Sequence, residues 1–284
     1  MTTTTATSGS APIEEKPTRS PVQAPTRGSD IFGRIVLPLT FVGVLIAAWW
    51  SAAEWGSVSP LLLPPPSDVL EALDRGVIGG LWWEHIGITM YEMVMGFVIG
   101  TSTGLILGAV FAFVKPLYQA AYPFIIALQS FPKIAIAPLL VVALGYGTEP
   151  KIVVAALLAY FPVMTASIAG FTALDPDEHN LMRSVRASKW QEMRYLRLPN
   201  AMSYIFPSLD VAIVLALLGA VAAELVGAQS GLGYLLVERQ GYGDSASMFA
   251  ALILLAIAGV TLRGAVQLLR RVLPRSIAPP SRNG

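Results

Sequence analysis

Four ionisable side chains lie inside otherwise apolar stretches of this chain: Glu92, Lys133, Asp210 and Glu224. Charged groups are unfavourable against lipid, so they normally face a helix-bundle interior, a water-filled cavity or an oppositely charged partner. The chemistry open to such groups is the binding of ions. Glu92, Asp210 and Glu224 together would suit proton or sodium sites in an ion-coupled secondary transporter. For Glu92 and Asp210 the favoured interpretation is a structural pair or a solvated helix end, and the ion-coupled transporter is the alternative.

Lys133 stands between two prolines, Pro132 and Pro138, that interrupt an apolar stretch. Proline lacks an amide donor and breaks a helix, and irregular backbone at membrane depth is tolerated only where protein or a water-filled cavity covers it. We therefore predict that these three residues line a solute pathway, where Lys133 eases the passage of an anion. The alternative is a lysine that snorkels outward or pairs with Glu92 or Glu224. Glu224 is predicted to hold an outer gate by hydrogen-bonding backbone, and its alternative is an interfacial carboxylate.

Other chemistries find little support in the sequence. There is no cysteine, and the two histidines are His85 and His179, so we expect no metal site and no catalytic residue. A phosphate-binding P-loop needs a lysine directly after a glycine, and none of the five lysines has one. The chain is therefore not expected to be an enzyme or its own ATPase. Energy for transport must come from a partner or from an ion gradient.

The composition indicates an integral membrane protein, with 54% hydrophobic and 13% charged residues. Runs of about 20 apolar residues form membrane-spanning helices, because hydrocarbon cannot satisfy backbone hydrogen bonds. The sequence predicts an all-α protein of six transmembrane helices, near residues 35–55, 86–114, 118–146, 151–173, 202–227 and 246–270. Residues 1–30 are rich in Thr, Pro and Ser and are expected to be a disordered cytoplasmic tail. A membrane domain is expected over 31–273, followed by a second cytoplasmic tail, 274–284.

The basic residues predict the orientation. With both termini in the cytoplasm, 15 Lys and Arg residues fall on inner segments. Three, Arg75, Lys151 and Arg239, fall on outer segments, and Lys133 lies within a span. This bias satisfies the positive-inside rule. The basic residues are thereby explained without a nucleic-acid partner.

The second predicted span carries four glycines at a spacing of four, Gly96, Gly100, Gly104 and Gly108. This spacing places them on one helix face and lets another backbone approach closely. It predicts either a tight helix pair or a dimer contact.

The longest polar stretch between spans is residues 175–199, which carries five basic residues. Asp175 before Pro176 reads as the cap of a first helix, and Ser188 with Gln191 reads as a capping box that starts a second. The second helix is predicted to end at Leu198-Pro199, with a bend between the helices near Ala187. Both helices are amphipathic, so they either lie on anionic lipid or dock to a partner.

Several short segments resemble one family. They are residues 187–191 (ASKWQ) with Leu198-Pro199 in the loop, 131–138 (FPKIAIAP), 144–147 (LGYG), 224–227 (ELVG) and 231–234 (GLGY). Over roughly residues 35–273 they resemble the permeases of ABC importers, in the nitrate, taurine and sulfonate branch. The sequence departs from the family's loop motif, because its Glu-Ala-Ala falls on residues 180–182 (NLM) and its glycine on Arg186.

The resemblance implies a type I importer permease with a MetI-like bundle in the bacterial inner membrane. It also implies a second copy of the chain as homodimer partner, a separate ATPase that binds ATP and Mg, and an extracytoplasmic substrate-binding protein. The substrate would be a small solute such as a sulfonate, nitrate or taurine-like anion, an aromatic acid or a pyrimidine precursor. The ATPase-coupling residues would be Arg183, Ser184, Val185, Arg186, Ala187, Ser188, Lys189, Trp190, Leu198 and Pro199.

Overall fold

The computed structural model describes residues 27–56 and 58–272, and every regular element in this part of the chain is helical. In chain order the helices are α1 Arg27–Glu54, α2 Pro66–Leu73, α3 Trp83–Phe113, α4 Lys115–Ser130, α5 Ala137–Leu144, α6 Glu149–Thr172, α7 Pro176–Ser184, α8 Lys189–Glu192, α9 Leu198–Gly227, α10 Leu232–Gly241 and α11 Ser245–Val272. The predicted tails, 1–30 and 274–284, lie outside the described residues except for residues 27–30. Those four residues are helical and begin α1.

The prediction of an all-α protein with six apolar spans is confirmed. Five of the described helical segments are long and apolar enough to cross a membrane, and a sixth candidate is a pair of helices bent by 81°. The pair corresponds to the predicted third span, with Phe131 and Pro132 at the break. Pro123 lies within α4 without ending it, whereas Pro132 precedes a single 3-10 turn, Lys133–Ile136, that leads into α5.

The predicted end of the loop's second helix at Leu198-Pro199 is wrong. Helical backbone continues from Lys189 to Gly227, through a π-helical turn at Met193–Arg197. In that turn the Leu198 amide bonds to the Met193 carbonyl, five residues back. The wider turn changes the hydrogen-bond register just before Pro199, so the missing proline amide falls in the first turn of α9 and does not stop the helix.

The chain divides at Ala48 into two units, and the bundle described here belongs to the second, which begins at Trp49. In that unit α3 packs along α6, and α6 packs along α9. Small residues make this close approach possible, since lipid supplies no hydrophobic drive to helix association and packing must do so. The buried residues at the centre are Met93, Ala155, Ala159, Val163, Ala212, Ala216 and Ala220.

The four-glycine stripe of α3 lies at the contact with α6. A Cβ atom at Gly100 would lie 2.6 Å from the Ala156 carbonyl oxygen, and one at Gly108 would lie 2.7 Å from the Met164 carbonyl oxygen. A Cβ atom at Gly96 would overlap the Ala155 side chain, and one at Gly104 would overlap the Tyr160 carbonyl oxygen. The stripe therefore serves a helix pair within the chain.

At one end of the bundle α2 and α10 pack on α11. Helix α2 starts at Pro66 with no side-chain cap. Asp244 accepts a hydrogen bond from the Ser247 amide at the start of α11. Partial burial raises the pKa of Asp244, but the Ser247 bonds and the charges of Arg239 and Arg75 outweigh it and leave this pKa below its usual value.

Candidate functional site: the loop helices and a buried polar cluster

The two loop helices begin where the sequence places their caps. The Asp175 carboxylate accepts a hydrogen bond from the Asp177 amide at 2.9 Å, which starts α7. At the start of α8, Ser188 Oγ accepts from the Gln191 amide at 3.3 Å, and Gln191 Oε1 accepts from the Ser188 amide at 2.7 Å. These bonds satisfy amides that a short helix otherwise leaves exposed, so both helices are fixed by local chemistry.

The bend between α7 and α8 lies at Arg186. Its φ of 52° is in the left-handed region, and it is the one non-glycine residue of the described chain with a positive φ. The amides of Arg186 and Ala187 turn back to the carbonyls of Arg183 and Met182, which closes the end of α7. The structure thus puts a left-handed residue at the position where the family's loop motif has glycine.

The loop leaves a mixed apolar and basic surface uncovered. Leu181, Val185 and Trp190 are 62%, 65% and 70% exposed. The predicted coupling residues Arg183, Ser184, Arg186, Ser188 and Lys189 are also exposed, and Ala187 is half-buried. We call Leu181, Val185, Trp190, Arg183, Arg186 and Lys189 the loop surface. Leu198 and Pro199 are half-buried at the start of α9 and lie outside it.

The loop is joined to the bundle by polar contacts that the sequence did not reveal. The Glu192 carboxylate accepts from the Arg197 guanidinium at 2.6 Å and lies 3.4 Å from His179 Nδ1 on α7. Arg197 also donates to the Phe171 carbonyl at the end of α6. Asn200 donates to the carbonyls of Gly170 and Ala173 at 2.8 and 2.7 Å. A displacement of the loop would therefore be passed directly to the ends of α6 and α9.

Three of the predicted pathway residues lie together at the break in the third span. Pro132 and Pro138 are exposed, and Lys133 is half-buried. Lys133 Nζ donates to the Gln129 carbonyl at 3.4 Å and lies 5.6 Å from the centre of the Phe161 ring. The structure thus does not pair Lys133 with Glu92 or Glu224, which was one of its two alternatives, the other being a lysine that snorkels outward. Its role in the pathway stays a prediction.

Glu224 belongs to a different cluster, at the opposite end of α9 from the loop. Its Oε1 accepts from Thr89 Oγ1 at 2.6 Å, and its Oε2 accepts from the Gly233 amide at 2.5 Å. The Leu232 amide donates to Thr89 Oγ1 at 2.7 Å. Glu224 is 1% exposed, so it is not the interfacial carboxylate that was its alternative. Glu224 accepts a hydrogen bond from a backbone amide, as the sequence suggested. Its role at a gate stays a prediction.

This cluster caps the first turn of α10 with side chains from other helices. The Gly231 amide donates to His85 Nδ1 at 3.1 Å, so three successive amides are bonded by residues of α3 and α9. A Cβ atom at Gly233 would lie 2.7 Å from Glu224 Oε2, which explains why glycine is needed there. The segments 224–227 and 231–234 are therefore partners in one structural feature.

Glu92 and Lys151 form a second buried pair beside Glu224. Lys151 Nζ lies 3.5 Å from Glu92 Oε1, and the two side chains are 2% and 0% exposed. The sequence counted Lys151 with the outer segments, and the structure shows that its side chain is buried. Lys151 lies in the first turn of α6 and is drawn inward by the Glu92 carboxylate. Asp210 is half-buried and has no ion-pair partner among the described residues, so Glu92 pairs with Lys151 instead.

No group of three metal-binding side chains comes together in the described part of the chain. The arrangement suits transport in the membrane: apolar spans, one of them broken, and a helical loop attached firmly to two spans. These features define a multi-pass membrane permease.

The chain belongs to the family described as binding-protein-dependent transport system inner membrane component, which matches residues 100–278. It is 34% identical over 222 residues to a probable ABC transporter permease protein of Haemophilus influenzae, covering 78% of this chain and 90% of that protein. It is 29% identical to a putative aliphatic sulfonates transport permease of Bacillus subtilis, over 83% of this chain and 85% of that protein. It is 30% identical to a riboflavin transport system permease of Chloroflexus aurantiacus, over 84% of this chain and 89% of that protein.

A solved structure supports the same fold. The chain is similar to a chain of the MetNI methionine ABC transporter in an inward-facing conformation, with a TM-score of 0.54 and 22% identity, over 73% of this chain and 98% of that one. The chain is thus a permease of the binding-protein-dependent importer class with a MetI-like fold. The ion-coupled alternative built on Glu92, Asp210 and Glu224 is not favoured.

Proposed function

We propose that the chain forms the translocation pathway of an ABC importer and receives its energy through the loop surface. A partner ATPase, which holds ATP and Mg, docks on Leu181, Val185, Trp190 and their basic neighbours. A substrate-binding protein delivers a small solute from the opposite side. The transporter contains two copies of this chain, and both termini face the cytoplasm.

The observation that carries this proposal is the uncovered loop surface. Large apolar side chains beside arginines are typical of interface centres. Contacts through Glu192, Arg197 and Asn200 fix the loop to α6 and α9, so force applied to the loop reaches the spans. A surface that only rested on lipid would not need this attachment.

The relatives support the substrate class. Those compared include permeases named for aliphatic sulfonates, taurine, riboflavin and formylaminopyrimidine. We therefore propose a small anionic or heteroaromatic solute as cargo, such as a sulfonate, nitrate, taurine-like anion, aromatic acid or pyrimidine precursor.

The test replaces Trp190 with alanine and Arg186 with glutamate in the full transporter. We expect each variant to insert normally but to lose co-purification with the ATPase and at least about tenfold of ATP-dependent, vanadate-sensitive uptake, as for loss of an interface anchor. Tyr242→Ala is the matched control, because Tyr242 is 75% exposed but lies at the other end of the bundle. Normal assembly and uptake in both loop variants would overturn the proposal.

A further inference from the structure

Lys151 joins three separate elements through one buried ammonium group. It stands on α6, its Nζ lies 3.5 Å from Glu92 Oε1 on α3, and it donates to the Tyr146 carbonyl at 3.4 Å. Tyr146 lies in the short turn that follows α5, the second half of the broken span. The end of the broken span is thus bonded to the centre of the bundle.

The turn after α5 has few other polar ties to the bundle. Gly145 has a φ of 90°, and its amide bonds back to Val141 within the last turn of α5. Val141 is buried and faces Gly227, where a Cβ atom would lie 3.0 Å from Val141 Cγ1. By contrast, α4, the first half of the broken span, has no buried residue. The span is therefore held at its α5 end, and Lys151 supplies the polar part of that attachment.

Glu92 depends on Lys151 in turn. Both carboxylate oxygens of Glu92 are buried without a hydrogen-bond partner among the described residues. Lys151 Nζ, 3.5 Å from Oε1, is the basic group that faces this carboxyl, which neighbours Glu224 and so the cluster that caps α10. Polar contacts thus run from the Tyr146 carbonyl through Lys151 to Glu92.

We propose that Lys151 is a positioning residue for transport, which fixes the α5 end of the broken span to α3 and α6. This inference rests on the proposed function, in which the broken span lines the pathway. Without the tether the end of α5 moves independently of α3 and α6. Movements of these helices that ATP hydrolysis drives are then no longer passed to the broken span that lines the pathway. ATP hydrolysis then continues without matching uptake.

The central variant is the double substitution Lys151→Met with Glu92→Gln, which removes the tether and leaves no unpaired buried charge. Glu92→Gln alone retains the bond from Lys151 to Tyr146. Arg75→Met, which removes an exposed basic side chain, is the control. If the methionine version does not accumulate, Lys151→Leu with Glu92→Gln makes the same comparison, because leucine has no group that can donate to the Tyr146 carbonyl.

The first readout is hydrogen exchange of the 142–148 peptide in the purified chain, which needs no ATPase. We expect exchange to be at least about fivefold faster in the double variant than in Glu92→Gln or Arg75→Met, since the last turn of α5 opens locally. The second readout is transport. We expect the ratio of solute taken up to ATP hydrolysed to fall about tenfold in the double variant, while hydrolysis itself continues.

Equal exchange in the double variant and Arg75→Met would overturn the tether. Faster exchange with an unchanged ratio of uptake to hydrolysis would overturn the positioning role. If the native complex shows no ATP-driven uptake but exchange still accelerates, the proposed function fails while the tether stands.

Discussion

Arg186 occupies a backbone conformation that costs an L residue with a Cβ roughly 1 kcal/mol or more. It lies among the four residues, 185–188, that turn the chain from α7 into α8, and its side chain is part of the loop surface. The position thus combines an unfavourable φ of 52° with an exposed charge. A glycine at this position would relieve the backbone strain but would lose the exposed positive charge.

The strain can be measured by comparing two substitutions that both remove the charge. We expect Arg186→Gly to be more stable than Arg186→Ala by about 1 kcal/mol, because only glycine adopts a positive φ freely. Thermal unfolding of the purified chain, with hydrogen exchange of residues 183–192, provides the measurement. Equal stability of the two variants would show that the bend stores no strain.

The pair of helices α3 and α6 is the closest-packed element of the bundle. Each glycine of the stripe meets backbone or a small side chain of α6, so there is no space for a methyl group at these positions. Gly87, which is also on α3, has no atom within 4 Å of the place where a Cβ would lie. The same substitution can therefore be compared at a closely packed glycine and at an open glycine of one helix.

We expect Gly100→Ala to destabilise the chain by about 1–3 kcal/mol, because the added methyl forces α3 away from α6. Gly87→Ala should be neutral or stabilising by up to about 1 kcal/mol, since alanine favours a helix. Denaturation in detergent micelles measures both. Similar values for the two variants would mean that the stripe does not control helix packing.

At the scale of the whole molecule, the loop surface and the α10 end lie at opposite ends of α9, whose 30 residues extend about 45 Å. The proposed orientation places the loop in the cytoplasm and α10 outside. The burial of Lys151 strengthens this orientation, because the outer segments then retain only Arg75 and Arg239 as accessible basic residues.

The absence of native cysteine makes the orientation directly testable with single cysteines. An impermeant maleimide applied to intact cells should label Tyr242→Cys and leave Val185→Cys unlabelled, and inverted vesicles should give the reverse. In the chain expressed without its partners both positions are well exposed, at 75% and 65%, so access to the side chain does not limit labelling. The opposite pattern would place the loop outside and remove the basis for ATPase docking there.

The sequence by itself determined the features that depend on nearby residues. Apolar length specified the spans, the glycine spacing specified one face of α3, and the caps at Asp175 and Ser188 specified where α7 and α8 begin. Each of these follows from interactions within a few residues or from transfer into lipid, which are properties of the local sequence. The continuation of the helix past Pro199 was missed, because no local signal marks a π-helical turn.

Only the tertiary structure decided which polar groups meet. Thr89 and Glu224 are 135 residues apart in the chain, and Thr89 and Leu232 are 143 apart. Lys151 could be read as a solvated outer charge until the rotation of α6 against α3 placed it beside Glu92. Hydropathy restricts a helix to the membrane but leaves its rotation about its own axis free. Packing of small residues fixes that rotation, and with it the partner of every buried charge.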